Sequence, residues 1–270
     1  MRPLLLIVVA AAHLVSGGCV VIRERTPAPS TEGTTSGQGR AAPQAEPAPL
    51  RASSDRRLLG SLGWALLSPE VPNAVVEIDQ LGGASLEQEA IEALERALRA
   101  HGGKRTVDVV TDKAEATEDV YSLEDLVRTS REHRDHSSGG ETVALHVLVL
   151  PGRFQVEGVP GAAFHATAIA LFPREIERVL PPGAAVGAFE AAVATHELGH
   201  TFGLVNRTGV GDFHEDQDHP GHTGDEDSVM YWAVESPSLA EVFRAGPPSD
   251  FNDADRREME RIRQQRRPER

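Results

Sequence analysis

Apolar and polar residues alternate along this chain in blocks whose period changes several times, and those changes mark out its elements. A first apolar run, Leu4 to Val15, follows Met1-Arg2-Pro3 and ends in Ser16-Gly17-Gly18-Cys19. From residue 20 to 57 the chain is rich in Pro, Ala, Ser, Thr, Gly and Gln, with almost no large apolar side chains. Such a segment cannot bury enough surface to offset its chain entropy, so it reads as a tether. Apolar residues return at Leu58 to Pro69, a stretch that fits either strand or coil. Ala74 to Asp79 has the composition of a strand, ended by Gly82-Gly83. Ser85, with Gln88 three residues on, opens a helix whose apolar stripe is Leu86, Ala90, Ile91, Leu94, Ala97 and Leu98. Gly102-Gly103 stops it. Thr106 to Val110 is a second strand, and Ser122 to Glu132 a second helix with Asp125 at the capping position. Thr142 to Leu150 is the most apolar strand and is expected at the centre of a sheet. Ala166 to Phe172 is a further strand, expected nearer an edge. A third helix covers Val186 to Phe202. Beyond Trp232 a short helix fits Pro237 to Arg244. A longer one, capped by Asn252 or Asp253, runs towards Gln265 with Phe251, Met259 and Ile262 as a thin apolar stripe.

This order predicts an α/β (α+β) fold, a mixed twisted sheet backed by helices. Four regions follow: a signal segment at 1–19, the tether at 20–57, a folded domain at 58–235 and a charged helical tail at 236–270. The chain has 27 Lys and Arg against 41 Asp and Glu, a formal charge of -14. That balance excludes nucleic acid as the partner, since phosphate binding needs basic patches. Cys19 is the single Cys, which excludes an intramolecular disulfide. A basic start, a short apolar core and small residues before a cleavage point form an export signal, too short for a membrane span. Small residues directly before Cys19 resemble the bacterial lipoprotein signal, although Ser16 stands where that signal prefers Leu. The resemblance implies lipidation at Cys19 and a cell-envelope location, with membrane contact only through the lipid; separately, the protein is expected to be a monomer.

The chemistry is concentrated on the third helix, in His196-Glu197-Leu198-Gly199-His200. Residues i and i+4 share a helix face, so both imidazoles can reach one ion, and imidazole suits zinc. Glu197, beside the first His, is placed to act as a general base. The alternative is a helix with two surface histidines, but Phe189, Ala191, Ala192, Val193 and Ala194 make this helix too apolar to be exposed. Gly203 follows where a sharply turning chain would use Gly. Downstream, Ser228-Val229-Met230-Tyr231 places a Met in an apolar turn.

Together these residues resemble the metzincin clan of zinc peptidases, with its extended H-E-x-x-H-x-x-G-x-x-H motif and Met-turn. The resemblance covers about Ala185 to Trp232. It implies a zincin-like sheet, an active-site helix, one catalytic zinc and Met230 as an apolar base under the metal. Where the clan has its third His, this chain has Asn206, a poor zinc ligand. Candidates for the third ligand are His222, His219 and His214. Archaemetzincins follow their third His with Cys, four residues, Cys, any residue and Met. Here His222 is followed by Thr223, four residues, Ser228, Val229 and Met230, so His222 is the choice, with His219 and His214 as alternatives. The later Cys-rich zinc site of that family has no counterpart. Clan members with a switching Tyr carry it where this chain has Trp232, so Tyr231 receives no catalytic role. His146 and His165 read as packing or surface residues, and His133 and His136 lie in a polar loop.

Asp212, Glu215, Asp216, Asp218, Asp225, Glu226 and Asp227 form an acidic loop without Lys or Arg. It reads as a solvated loop, with Ca2+ binding as the sharper alternative, and its charge would favour basic peptides. The resulting expectation is an exported zinc endopeptidase that pairs an extended peptide or protein substrate with the Ala166–Phe172 strand. A surface-tethered binding protein retaining the fold is the alternative, and an aminopeptidase or a self-processing enzyme is a third reading. The intact Glu197 favours an enzyme.

Overall fold

Strand-forming residues with β-branched and Leu side chains build a five-stranded sheet in the order β2-β1-β4-β7-β6. β1 (Asn73–Leu81), β2 (Thr106–Ala114), β4 (Thr142–Val149) and β7 (Ala168–Leu171) run parallel, and β6 (Gly161–His165) is antiparallel to β7. The computed structural model describes residues 59–116, 118–180, 182–205, 214–236 and 246–264. The Cys19 signal, the 20–57 tether, Asn206, Asp212 and the short helix expected at 237–244 lie outside them. Among the described residues no helix is long and apolar enough to cross a membrane.

Alternation along the strands sends two different sets of side chains to the two faces. Val76, Ile78, Val143, Leu145, Val147, Ile169 and Leu171 enter one core with α2 (Gln88–Ala100) and α5 (Val186–Phe202). Phe251, Met259 and Ile262, the latter two on the C-terminal helix α6 (Asp253–Gln264), join that same core. On the opposite face Leu81, Leu148, Ala168 and Ala170 pack with Leu126 of α3 (Leu123–His133). The fold is therefore a mixed sheet backed by helices. The undecided 58–69 stretch contains a short helix, α1 (Gly63–Leu67). Two elements carry too weak a pattern to stand out in sequence: α4 (Pro173–Val179) and the two-stranded pair β3 (Val120–Tyr121) with β5 (Arg153–Phe154).

Three local expectations need different treatment. α3 starts as anticipated, with Ser122 and Asp125 forming a reciprocal capping box. α2 does not use Ser85 and Gln88 in that way. It begins later, with Glu87 as N-cap and no side-chain cap of its own, and the Glu87 N–H donates instead to Glu190 Oε2 of α5 at 2.7 Å. The Ala166–Phe172 strand lies nearer an edge than β4, as expected, but is not itself the edge. As β7 it bonds to β4 on one side and β6 on the other, and β6 is the edge. Gly161-Ala162-Ala163 at the start of β6 gives little apolar signal because its small side chains let α5 lie close against it.

Glu190 couples these helices to pH. Its side chain is buried, which pushes its pKa from 4.5 up to about 7, against the opposing Glu87 hydrogen bond. A carboxyl raised in the folded state stabilises fully at pH values below 4.5, and that stabilisation is lost as pH rises through about 7. Glu190→Gln should flatten the fall in melting temperature across this window. Thermal unfolding of both proteins at stepped pH measures it, and parallel curves would contradict the assignment.

Candidate metal centre

Helix α5 is buried along almost its whole length from Phe189 to Phe202, as its all-round apolar composition requires. Its end is set by Gly203, which adopts φ +97°, a left-handed conformation open to Gly at little cost. The Gly203 N–H donates to the Gly199 and His200 carbonyls, and the Leu204 N–H to Gly199, closing the last turn. The chain thereby leaves the helix directly after the two histidines.

His196 and His200 project from this buried helix with their Nε2 atoms 3.0 Å apart. His222 reaches the same point from the 214–236 segment, its ring stacked 5.2 Å from that of His196 and edge-on to His200 at 5.3 Å. Glu235 is the fourth member: its Oε1 lies 3.4 Å from His196 Nε2 and its Oε2 3.6 Å from His222 Nε2. One ligand atom from each of the four lies within 4.8 Å of all the others, and all four side chains are buried. The other two candidates for the third ligand point elsewhere. His219 stacks on Trp232 at 4.2 Å, nearly parallel, and lies 3.5 Å from Asp216. His214 faces Asp255 at 3.2 Å and Glu258 at 3.7 Å.

Several features fit this cluster to a divalent cation. His196 Nδ1 is 2.7 Å from the Val229 carbonyl, so the proton belongs on Nδ1 and Nε2 is left as a lone-pair donor. Burial pulls His196 down to about 4, with the Glu235 charge opposing it, which keeps the imidazole neutral as a metal ligand must be. Among the described residues, neither carboxylate oxygen of Glu197 or Glu235 has a hydrogen-bond partner, nor has His222 Nε2. Buried polar atoms left this way cost about 1–3 kcal/mol each, and more when charged. A cation among them removes that cost at once. Glu197 is held well above the usual carboxylate range, first by burial and then by the Glu235 charge. Burial alone would raise Glu235 as well, but His196, Glu197 and His222 draw it down. Two carboxylates in one dry cavity repel each other, and a dication beside them reverses the sign of that field.

Met230 lies beneath α5, fully buried. A Cβ placed on Gly199 would stand 2.3 Å from its Sδ. The turn before Met230 is held by Ser228, whose Oγ accepts from the Met230 N–H at 2.9 Å and donates to Asp255 Oδ2 at 2.6 Å. Asn252 caps α6, accepting from the Ala254 and Asp255 N–H groups, while Asp255 accepts from the Asn252 N–H. In the acidic loop, Glu215, Asp216 and Asp225 accept hydrogen bonds from nearby backbone N–H groups. These carboxylates therefore shape turns.

Two groups were not anticipated from sequence. Glu235 ends a single 3-10 turn, Trp232–Glu235, and its signal is an acidic residue directly after Ala233-Val234. The second group is Glu77, Asp79 and His146, buried on the α3 face of the sheet. His146 reads as a packing residue in sequence, and its environment is polar: Nε2 is 2.6 Å from Asp79 and Nδ1 is 2.8 Å from Ser130. The Glu77 carboxylate accepts the Asp135 and His136 N–H groups. These donors and acceptors satisfy one another, unlike those of the first cluster.

No protein-family model matches the chain, and no curated protein does. Among solved structures, it is similar to a crystal structure of archaemetzincin from Methanopyrus kandleri. The two are 16% identical with a TM-score of 0.46, over 74% of this chain and 99% of that one.

The contact of Gly199 with Met230 yields a direct test. Gly199→Ala should force Met230 aside, an overpacking that costs about 1–3 kcal/mol. Denaturant unfolding should report that loss, and an unchanged midpoint would show that Met230 does not support the helix at this point.

Proposed function

We propose that this chain is a zinc-dependent peptidase in which His196, His200 and His222 hold the metal and Glu197 is the general base. The observation that carries the reading is the convergence of the buried His196, His200 and His222 imidazoles, with the Glu197 carboxylate buried on the same helix. When bound, zinc supplies Lewis acidity, which lowers the pKa of water and polarises a peptide carbonyl. The remaining work falls to the chain. The Val229 carbonyl fixes the ring orientation and tautomer of His196. Met230 supports α5 from below through Gly199. Gly161 of β6 admits the Glu197 side chain, since a Cβ there would lie 2.6 Å from Glu197 Oε1 and 2.9 Å from its Cγ. In that seat the Glu197 carboxylate accepts a proton from the attacking water and passes it to the leaving amine.

An extended peptide is the substrate class. β6, as the sheet edge beside α5, replaces Ala166–Phe172 as the strand that would pair with it. The acidic loop favours basic peptides by its charge, and its carboxylates are read as solvated turn formers with no calcium. Export, lipidation at Cys19 and a 20–57 tether complete the proposal, with the catalytic domain at 58–235 and the molecule a monomer. A binding protein that keeps the fold is the alternative, and one observation favours it: a buried acidic side chain, Glu235, as the fourth member of the cluster.

Zinc quantification and peptide hydrolysis on the full chain separate these readings. Wild type should bind one zinc, and His222→Ala should lose it, whereas His219→Ala and His214→Ala should keep it. Glu197→Ala should retain zinc and lose roughly 10²–10⁴-fold in hydrolysis. Zinc without hydrolysis in wild type would support the binding protein, and no zinc at all would remove both readings.

A further inference from the structure

The four-membered cluster has a geometry that three histidines alone do not explain. For metal bonds of about 2.0–2.1 Å, the ligand atoms of a tetrahedral site stand roughly 3.3–3.4 Å apart. His196 and His200 are separated by 3.0 Å, His196 and Glu235 by 3.4 Å, and His222 and Glu235 by 3.6 Å. Glu235 thus turns one oxygen, Oε1, to His196 and the other, Oε2, to His222, and one ligand atom from each of the four residues lies within 4.8 Å of the others. Its placement is built into the fold. Trp232, on the same 3-10 turn, is held outside the cluster by its stack on His219. The Ser236 N–H bonds back to Ala233 and tightens the turn, leaving Glu235 fully buried beside the imidazoles.

Charge points the same way. A dication held by imidazoles would bring uncompensated positive charge among buried side chains, where it is costly. Glu197 and Glu235 offset it. Both Glu235 oxygens are buried, and the groups that face them are His196, His222 and Glu197 of the cluster itself.

We propose that Glu235 is the fourth protein ligand of the centre, so that any outside ligand must displace its carboxylate to reach the metal. This rests on the zinc-peptidase reading and adds a control to it. Catalytic zinc sites keep one position for water or substrate, whereas four protein ligands make a closed site. Here the fourth position is occupied by a side chain on a one-turn helix, which can yield it without disturbing α5. The resting protein is latent in this sense, and substrate binding has to compete with Glu235.

Cobalt(II) in place of zinc gives a visible spectrum that reports its ligands. Full-length wild type, Glu235→Gln and Glu235→Ala would each be loaded with cobalt(II) and titrated with azide. Azide should leave the wild-type spectrum unmoved at concentrations that shift the spectrum of Glu235→Ala. Competition with a chelator should show zinc held at least about tenfold more weakly in Glu235→Ala, as for loss of a group that supports a metal site. A wild-type spectrum that moves with azide as readily as the variant's, or equal zinc affinities, would overturn the proposal while leaving the peptidase reading intact. Failure of wild type to take up either metal would instead sink the peptidase reading itself. Should the variants not fold, the wild-type azide titration decides alone, since a response to azide reveals an open position.

Discussion

Burial of helix α5 is the constraint on which the site depends. From Phe189 to Phe202 the helix is enclosed by the sheet, by α2 and by the Met230 turn, yet it carries His196, Glu197 and His200 on its inner side. Hydrogen bonds only partly reconcile these groups with an apolar interior: His196 has the Val229 carbonyl at Nδ1 and faces the His200 ring 3.0 Å away at Nε2. The fold nevertheless brings two more polar side chains, His222 and Glu235, to the same place. A buried cation explains all five groups together, because each unpartnered atom is then a ligand, or a carboxylate offset by the ion's charge.

The contrast with Glu77, Asp79 and His146 sharpens this. That cluster is equally buried and similar in composition, but its members are hydrogen-bonded to one another, to Ser130 and to backbone N–H groups. Each hydrogen bond to a charged group there contributes about 1.5–3 kcal/mol, so no ion is needed. It joins α3 to the central strands. Composition alone would rank the two clusters alike, and the difference lies in which polar atoms are left over.

Much of this is legible in the sequence alone. The strands β1 and β4, the bounds of α5 and the Ser122–Asp125 cap follow from local patterns, which act over a few residues. His196, Glu197 and His200 were legible for the same reason, since helical spacing alone brings them together. His222 was one of three candidates, because choosing among them requires the path of the 214–236 segment, in which His219 is turned away by its stack on Trp232. Glu235 left only a weak signal, an acidic residue after Ala233-Val234, because a lone carboxylate on a one-turn helix has no periodicity to reveal it. The choice of Ala166–Phe172 as the pairing strand has a similar cause. β7 is internal only because Gly161–His165 folds back alongside it, and Gly-Ala-Ala is a weak strand signal. The α2 start was missed because its N–H partner, Glu190, lies more than a hundred residues away in sequence.

The proposed zinc ion would sit among the side chains of His196, His200 and His222. Anomalous diffraction at the zinc absorption edge, from crystals of the full-length protein grown with zinc, tests this placement most directly. A single strong peak within about 2.0–2.1 Å of the three Nε2 atoms is the expected result. A peak at Glu77, Asp79 and His146, at His214 or at His219, with none at the α5 histidines, would contradict it.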